Sequence, residues 1–225
     1  NYTGFYAVPR LDMELLRMLP PQDVFVTTAC VAFWGKVDKT TNKVLWHYGG
    51  EENDIREQRK LFLSLYEHFG DSLRLEVQAH NTPWQKEINR LCLDLHYQYN
   101  IPLIAGTDSH YVYPEQAQER RILREENGTA HMDEHELDSG VYEDYPDEAT
   151  FRRRMEEQGV LNLDEIQESI ASPEELLTFD DICYDTSRKL PTIYPALTQE
   201  ERDSLFEERV WYRWDEYIKD VPEAR

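Results

Sequence analysis

Asp108 and His110 stand two apart at the end of the apolar run Leu103-Ile-Ala-Gly-Thr. In an extended segment, residues two apart project to the same side. A carboxylate oxygen and an imidazole nitrogen can therefore reach one point at a strand end, where α/β folds keep their active sites. The same spacing also serves as a helix N-cap followed by a surface imidazole. Cys30 closes an earlier apolar, β-branched run that starts at Asp23. A thiolate joined to a carboxylate and an imidazole suits zinc or another borderline transition metal better than magnesium. Taken singly, Cys30 also reads as a small buried hydrophobe. His80 follows the alternating run that ends at Gln78 and can either reach the strand ends, as a metal or substrate contact, or occupy a surface loop. Glu76, opposite in sense to Leu75 and Val77, either enters the site or faces water. His131 and His135 would share a helix face, but their acidic surroundings fit a solvated segment. Cys92 falls on the apolar face of a helix, and Cys183 carries no signal.

These side chains need strands and helices to hold them. Residues 1 to 12 read as an irregular lead-in, and Asp12 is a plausible N-cap for a short helix over Met13 to Met18 that Pro20-Pro21 ends. The run from Asp23 to Cys30 reads as a buried strand, and residues 35 to 50 as a polar loop or small excursion. A helical period from Asn53 to Phe69 stops at Gly70. Ser72 to Gln78 alternates as a strand, Gln85 to Tyr99 is amphipathic with Pro83 in its first turn, and Ile101 to Thr107 is the next strand. Strand and helix alternating at this spacing predicts βαβ units around a parallel sheet or barrel. A helix over Pro114 to Arg124 follows. From about residue 125 the pattern weakens, then helices are expected over Glu148 to Gln158 and Asp164 to Ile170, with another starting at Ser172. Thr198 and Glu201 form a capping box that opens a last helix through Trp211, Trp214 and Tyr217.

Composition narrows the function classes. The chain has 225 residues and a net charge of −21, which repels phosphate backbones at long range and disfavours a free DNA-binding module. Divalent cations would reverse that local field. Three cysteines far apart favour a reducing, cytoplasmic setting over a disulfide framework. No segment approaches the roughly 18 apolar residues of a membrane span, so a membrane partner is not expected. The chain opens at Asn1, without an initiator Met or a visible leader, which suggests a processed or truncated product.

Several linked motifs fall in one order: Phe5-Tyr-x-x-Pro-Arg-Leu-Asp12, Thr28-Ala-Cys30, Phe69-Gly-Asp-x-Leu-x-Leu-Glu-Val-Gln78, and Asn100-Ile-Pro-Leu-Ile-Ala-Gly-Thr-Asp-Ser-His-Tyr111 with Pro114-Glu-x-Ala117. In this order the chain resembles the polymerase and histidinol phosphatase (PHP) domain, in the version that opens the alpha subunit of bacterial and phage replicative C-family polymerases, DNA polymerase III among them. The resemblance covers residues 5 to 124 and is thinner beyond. It implies a distorted (β/α)7 barrel, here incomplete at its N-terminus and carrying a mostly helical C-terminal extension. It divides the chain into a barrel part with the metal motifs at 1–125, an acidic, partly helical remainder at 126–196, and a C-terminal helix leading out at 197–225. It implies Cys30, Asp108 and His110 as ligands of divalent metal ions, zinc, manganese or iron, up to three in complete members. Arg10 near the mouth could meet a phosphate, although a salt bridge with Asp12 or another carboxylate fits equally.

The family's opening His-x-His motif and its next His and Glu ligands are expected ahead of residue 1. The implied activity is phosphodiester hydrolysis, with 3′ to 5′ exonuclease proofreading as its form within polymerases. The implied partners are DNA, reached through the parent polymerase, and an exonuclease or other replisome subunit. Two alternatives remain, an inert structural or protein-docking domain and a free-standing phosphoesterase.

Overall fold

The computed structural model describes residues 5–6, 8–9, 12–38, 40–47, 50, 52–126, 140–178, 194 and 196–219. Two compact units divide the chain, Asn1–Asp180 and Asp181–Arg225. Arg10, His131, His135, Cys183 and most of the 190–195 connector lie outside the described residues.

In the first unit, β1 (Phe5–Tyr6) and β2 (Val8–Pro9) form a small antiparallel pair where the sequence predicts an irregular lead-in. Asp12 caps α1 (Met13–Leu16) by accepting from the Leu15 N–H, as its position predicts. β3 is only Val26–Thr27. The longer predicted strand is cut short because Ala29 takes a left-handed φ of 50°. Cys30 is consequently not a strand residue but the N-cap position of α2 (Val31–Trp34). The predicted loop over 35 to 50 is a hairpin of β4 (Gly35–Asp38) and β5 (Lys43–Trp46), with Asn42 at a φ of 54° in its turn. Val44 and Trp46 point inward to join Trp34 in the core, which fixes the hairpin's register.

The centre of the unit is β6 (Leu73–Gln78), paired in parallel with β3 on one side and β7 (Leu103–Gly106) on the other. Leu73, Leu75 and Val77 are at most 1% exposed and meet Ile88, Leu91, Cys92 and Leu95 of α4 (Pro83–Tyr99) in one buried cluster. Complete burial of a side chain of this size contributes roughly 1.5–3 kcal/mol. Both flanking helices follow their sequence signals. α3 (Ile55–Phe69) is capped by Asp54 and ends at Gly70, whose φ of 49° suits glycine. Thr82 caps α4, Pro83 is its first residue, and Asn100 ends it in the left-handed region. These βα crossovers bear out a mixed α/β class. Among the described residues the parallel strands form an open sheet of order β3-β6-β7 and do not close into a barrel.

Beyond β7, the predicted helix at 114 is a 3-10 turn (Pro114–Gln116) leading into α5 (Ala117–Glu126). α6 (Glu148–Gln158) has the predicted bounds. α7 (Leu163–Ala171) opens with an Asn162/Glu165 capping box, and Ser172–Thr178 is 3-10 helix. In the second unit, α8 (Gln199–Arg213) carries the predicted Thr198/Glu201 box and continues as one π-helical stretch, Trp214–Ile218. No helix among the described residues is long and apolar enough to cross a membrane.

Gly106 shows how closely β7 approaches β6. A Cβ there would lie 2.0 Å from the Glu76 Oε1 and 2.6 Å from its Cγ. Gly106→Ala is expected to cost about 1–3 kcal/mol through overpacking. In a Glu76→Ala background most of that cost should vanish, as read by urea denaturation. Additive effects of the two substitutions would show that the side chains do not meet.

Candidate metal centre at the strand ends

β6 and β7 place one polar face toward the site. Alternation along β6 and its continuation puts Glu76, Gln78 and His80 on the side opposite Leu75 and Val77. Glu76 is held there from both sides, accepting from the Thr27 Oγ1–H at 2.8 Å and from the Gln78 Nε2–H at 2.9 Å. It therefore lies over the sheet and does not hang free in water. The amide of Gln78 is oriented by that bond, which leaves its buried Oε1 without a hydrogen-bond partner.

At the end of β7 the chain turns at Asp108, whose φ of 48° lies in the left-handed region that Asp tolerates better than most residues. His110 folds back on this turn, and its Nδ1–H donates to the Asp108 carbonyl at 2.7 Å. A carbonyl only accepts, so the proton of the neutral ring sits on Nδ1 and the Nε2 lone pair stays free. This is the arrangement of a metal-ligating histidine, whose tautomer is set by a hydrogen bond from its other nitrogen. Cys30 lies near the same turn. Burial raises its thiol pKa, the backbone N–H of Ala32 opposes that, and the charges of Asp108 and Glu76 push it further up. Without a cation the thiol stays protonated near neutral pH, whereas a bound metal would favour the thiolate.

The structure thus brings Cys30 within electrostatic reach of both Asp108 and Glu76, with His110 on the same turn as Asp108. Among the described residues no three His, Cys, Asp or Glu side chains converge closely enough to hold a metal ion. The donor types and the His110 tautomer fit a divalent ion. The described set by itself does not complete a coordination shell.

His80 occupies an unexpected place. It is 2% exposed, its Nδ1 accepts from the Tyr142 N–H at 2.9 Å, and its Nε2 is 3.9 Å from Asp108 Oδ2. Burial lowers its pKa to about 4, against the raising influence of Asp108. It is turned to the protein interior and not toward a surface loop.

Residues 140 to 145 form a strap over the strand ends that the acidic, aperiodic sequence does not announce. The Glu143 carbonyl accepts from the backbone of His110 and Tyr111, the Asp144 carbonyl accepts from Ser109 Oγ, and the Tyr145 N–H donates to Val112. Arg154 of α6 pairs in bidentate fashion with Asp144, both contacts at 2.9 Å, and stacks over Tyr142. Arg120 of α5 lies 3.4 Å from Glu143. Burial raises the Glu143 pKa, with Arg120 opposing it. Sequence reasoning misses Glu143, Asp144, Arg120 and Arg154 as site neighbours. Only the helical period of α6 hinted that Arg154 is held in a fixed place.

The sequence is 32% identical over 120 residues to DNA polymerase III subunit alpha of Aquifex aeolicus, an overlap of 53% of this chain and 9% of that protein. Over 171 residues it is 29% identical to the same subunit of Deinococcus radiodurans, 76% of this chain and 11% of the relative. The Thermus aquaticus subunit matches at 29% over 121 residues. The chain therefore spans between 9% and 11% of the length of these relatives. It is homologous to DNA polymerase III subunit alpha over about half of its own length. No protein-family profile matches it.

Two outcomes follow from the site's electrostatics in the metal-free protein. His80 has a folded-state pKa below its ordinary 6.5, so its stabilising contribution is complete above pH 6.5 and is lost as pH falls toward about 4. Chemical denaturation across that range should show His80→Gln flattening the decline. Arg154→Ala strands the buried Asp144 and should cost about 3–5 kcal/mol, and a loss below 1 kcal/mol would mean the pair is open to solvent.

Proposed function

We propose that this chain is part of the PHP domain of a replicative DNA polymerase alpha subunit, and that Cys30, Asp108 and His110 belong to a divalent-metal centre acting on phosphodiesters. The His110 ring carries this reading: its Nδ1 is bound to the Asp108 carbonyl, which leaves Nε2 as the ligating nitrogen, and Asp108 in turn lies within electrostatic reach of the Cys30 thiol. The homology to polymerase III alpha subunits supports the replication setting. In this reading the parallel trio β3-β6-β7 is an arc of a distorted (β/α)7 barrel, residues 126–196 complete the domain, and 197–225 lead out of it.

Zinc, manganese or iron, when bound, supplies a Lewis acid and a hydroxide from water at neutral pH. Asp108 and His110, on one turn, and Cys30, at the start of α2, would be the residues that hold such an ion, with the cation favouring the Cys30 thiolate. Glu76 is held in place at the same strand ends by the Thr27 hydroxyl and the Gln78 amide. Arg10 is proposed to contact the substrate phosphate. His80 does not share that role, because its ring is buried against Trp84. The substrate is DNA delivered through the parent polymerase, 3′ to 5′ proofreading is the corresponding activity, and an exonuclease or other replisome subunit is the protein partner. The setting is the bacterial cytoplasm.

A second reading, a non-catalytic docking domain, is favoured by the exposed aromatic residues of α8, with Trp211 63% and Tyr212 62% exposed. Cobalt(II) titration of the polymerase containing this chain separates the two. The metal reading expects a thiolate-to-cobalt absorption band that Cys30→Ser abolishes. It also expects Asp108→Ala to lower hydrolysis of a single-stranded oligonucleotide by about 100-fold or more, since loss of even a group that only orients a ligand costs about 10–100-fold. No band, together with unchanged hydrolysis, favours docking.

A further inference from the structure

We infer that His80 is the positioning residue of Asp108, an inference that rests on the metal-centre reading. Its placement is determined from several sides. The His80 carbonyl accepts from Gln158 Nε2–H at 2.7 Å, and the Asn81 N–H donates to the Gly140 carbonyl at 2.7 Å. These bonds fix the backbone where β6 leaves the sheet. The imidazole packs against Trp84 with ring centroids 5.7 Å apart. With Nδ1 occupied by the Tyr142 N–H, the neutral ring must carry its proton on Nε2. That N–H faces Asp108 Oδ2 across 3.9 Å, longer than a hydrogen bond and within reach of a small turn of the carboxylate.

The consequence is a division of labour between the two histidines. His110 has its proton on Nδ1 and a free Nε2, the form that ligates. His80 has a donor on Nε2 and an occupied Nδ1, so it cannot ligate without breaking its bond to the strap. It can instead hold Oδ2 of Asp108, so that Oδ1 would remain available to a cation. Partners of this kind orient ligating groups and typically change metal affinity by about 10–100-fold when removed. The strap reaches the site through this contact, because the Tyr142 N–H selects the His80 tautomer.

The test uses cobalt(II) binding and nitrogen-15 NMR on the polymerase containing this chain, or on the chain itself where it gives resolved spectra. His80→Ala should weaken cobalt binding about 10–100-fold, while His80→Gln, whose amide can donate in the same direction, should recover most of it. Equal binding by wild type and His80→Ala overturns the inference, as does a folded His80→Gln variant that binds as weakly as His80→Ala. If the wild type binds no cobalt, the metal reading itself fails, and NMR then decides the contact alone. The wild-type ring should be protonated at Nε2, and Asp108→Asn should shift that resonance. A proton on Nδ1, or an unmoved resonance, refutes the contact whether or not metal binds.

Discussion

The period-two alternation of β6 is the constraint on which the rest of the first unit depends. Leu73, Leu75 and Val77 face α4 and are essentially inaccessible to water, so the strand cannot slip by one residue without exposing all three. The same alternation obliges Glu76, Gln78 and His80 to share the opposite side. Parallel pairing then brings Gly106 under Glu76 and carries the chain on to Asp108. Core and candidate site are thus two faces of one strand, and the register that buries the leucines also assembles the carboxylates.

This linkage explains what the sequence made legible. α3, α4 and α6 could be read closely because caps and apolar periodicity agreed in each, with Asp54, Thr82 and Asp147 accepting at the N-termini. The Asp108-x-His110 pair was legible as a strand end for the same reason. Where local signals conflicted, the reading failed. The segment from Asp23 to Cys30 has strand composition, yet Ala29 adopts a left-handed φ and only Val26 and Thr27 join the ladder. The hairpin at 35 to 46 was hidden by its polar tip, although Val37, Val44 and Trp46 alternate. The strap was the least readable. Its contacts join residues separated by 32 to 62 positions through backbone groups and a buried imidazole, and none of these leaves a periodic trace.

Ala29 and Asp108 follow the two strands that flank β6, and both take a left-handed φ. For Asp the penalty is modest; for Ala it is of order 1–3 kcal/mol unless surrounding contacts impose it. Ala29 N–H donates to Thr27 Oγ1 at 3.3 Å, and Thr28 Oγ1 accepts from the Glu76 N–H at 2.9 Å. The bend that displaces Cys30 from the strand is therefore tied to the backbone of β6. The strain sits one residue before Cys30, whose thiol feels the charges of Asp108 and Glu76.

The electrostatics reinforce this separation of roles. In a chain of net charge −21, the strap's Glu143 and Asp144 are paired with Arg120 and Arg154, so the carboxylates that hold the strap down have cations built into α5 and α6. Glu76 is treated differently: it is satisfied by the neutral donors of Thr27 and Gln78, which orient it without cancelling its charge. Asp108 faces His80, which stays neutral near pH 7 and can orient a carboxylate but not neutralise it. Neutral donors around Glu76 and Asp108 orient these groups without adding a positive charge beside them, and their influence on Cys30 adds to the larger effect of burial in raising its thiol pKa. A fold that only needed these groups buried would gain more by pairing them with arginine, as the strap does. Under the proposed metal reading, orienting them with neutral donors is the arrangement that suits a bound cation.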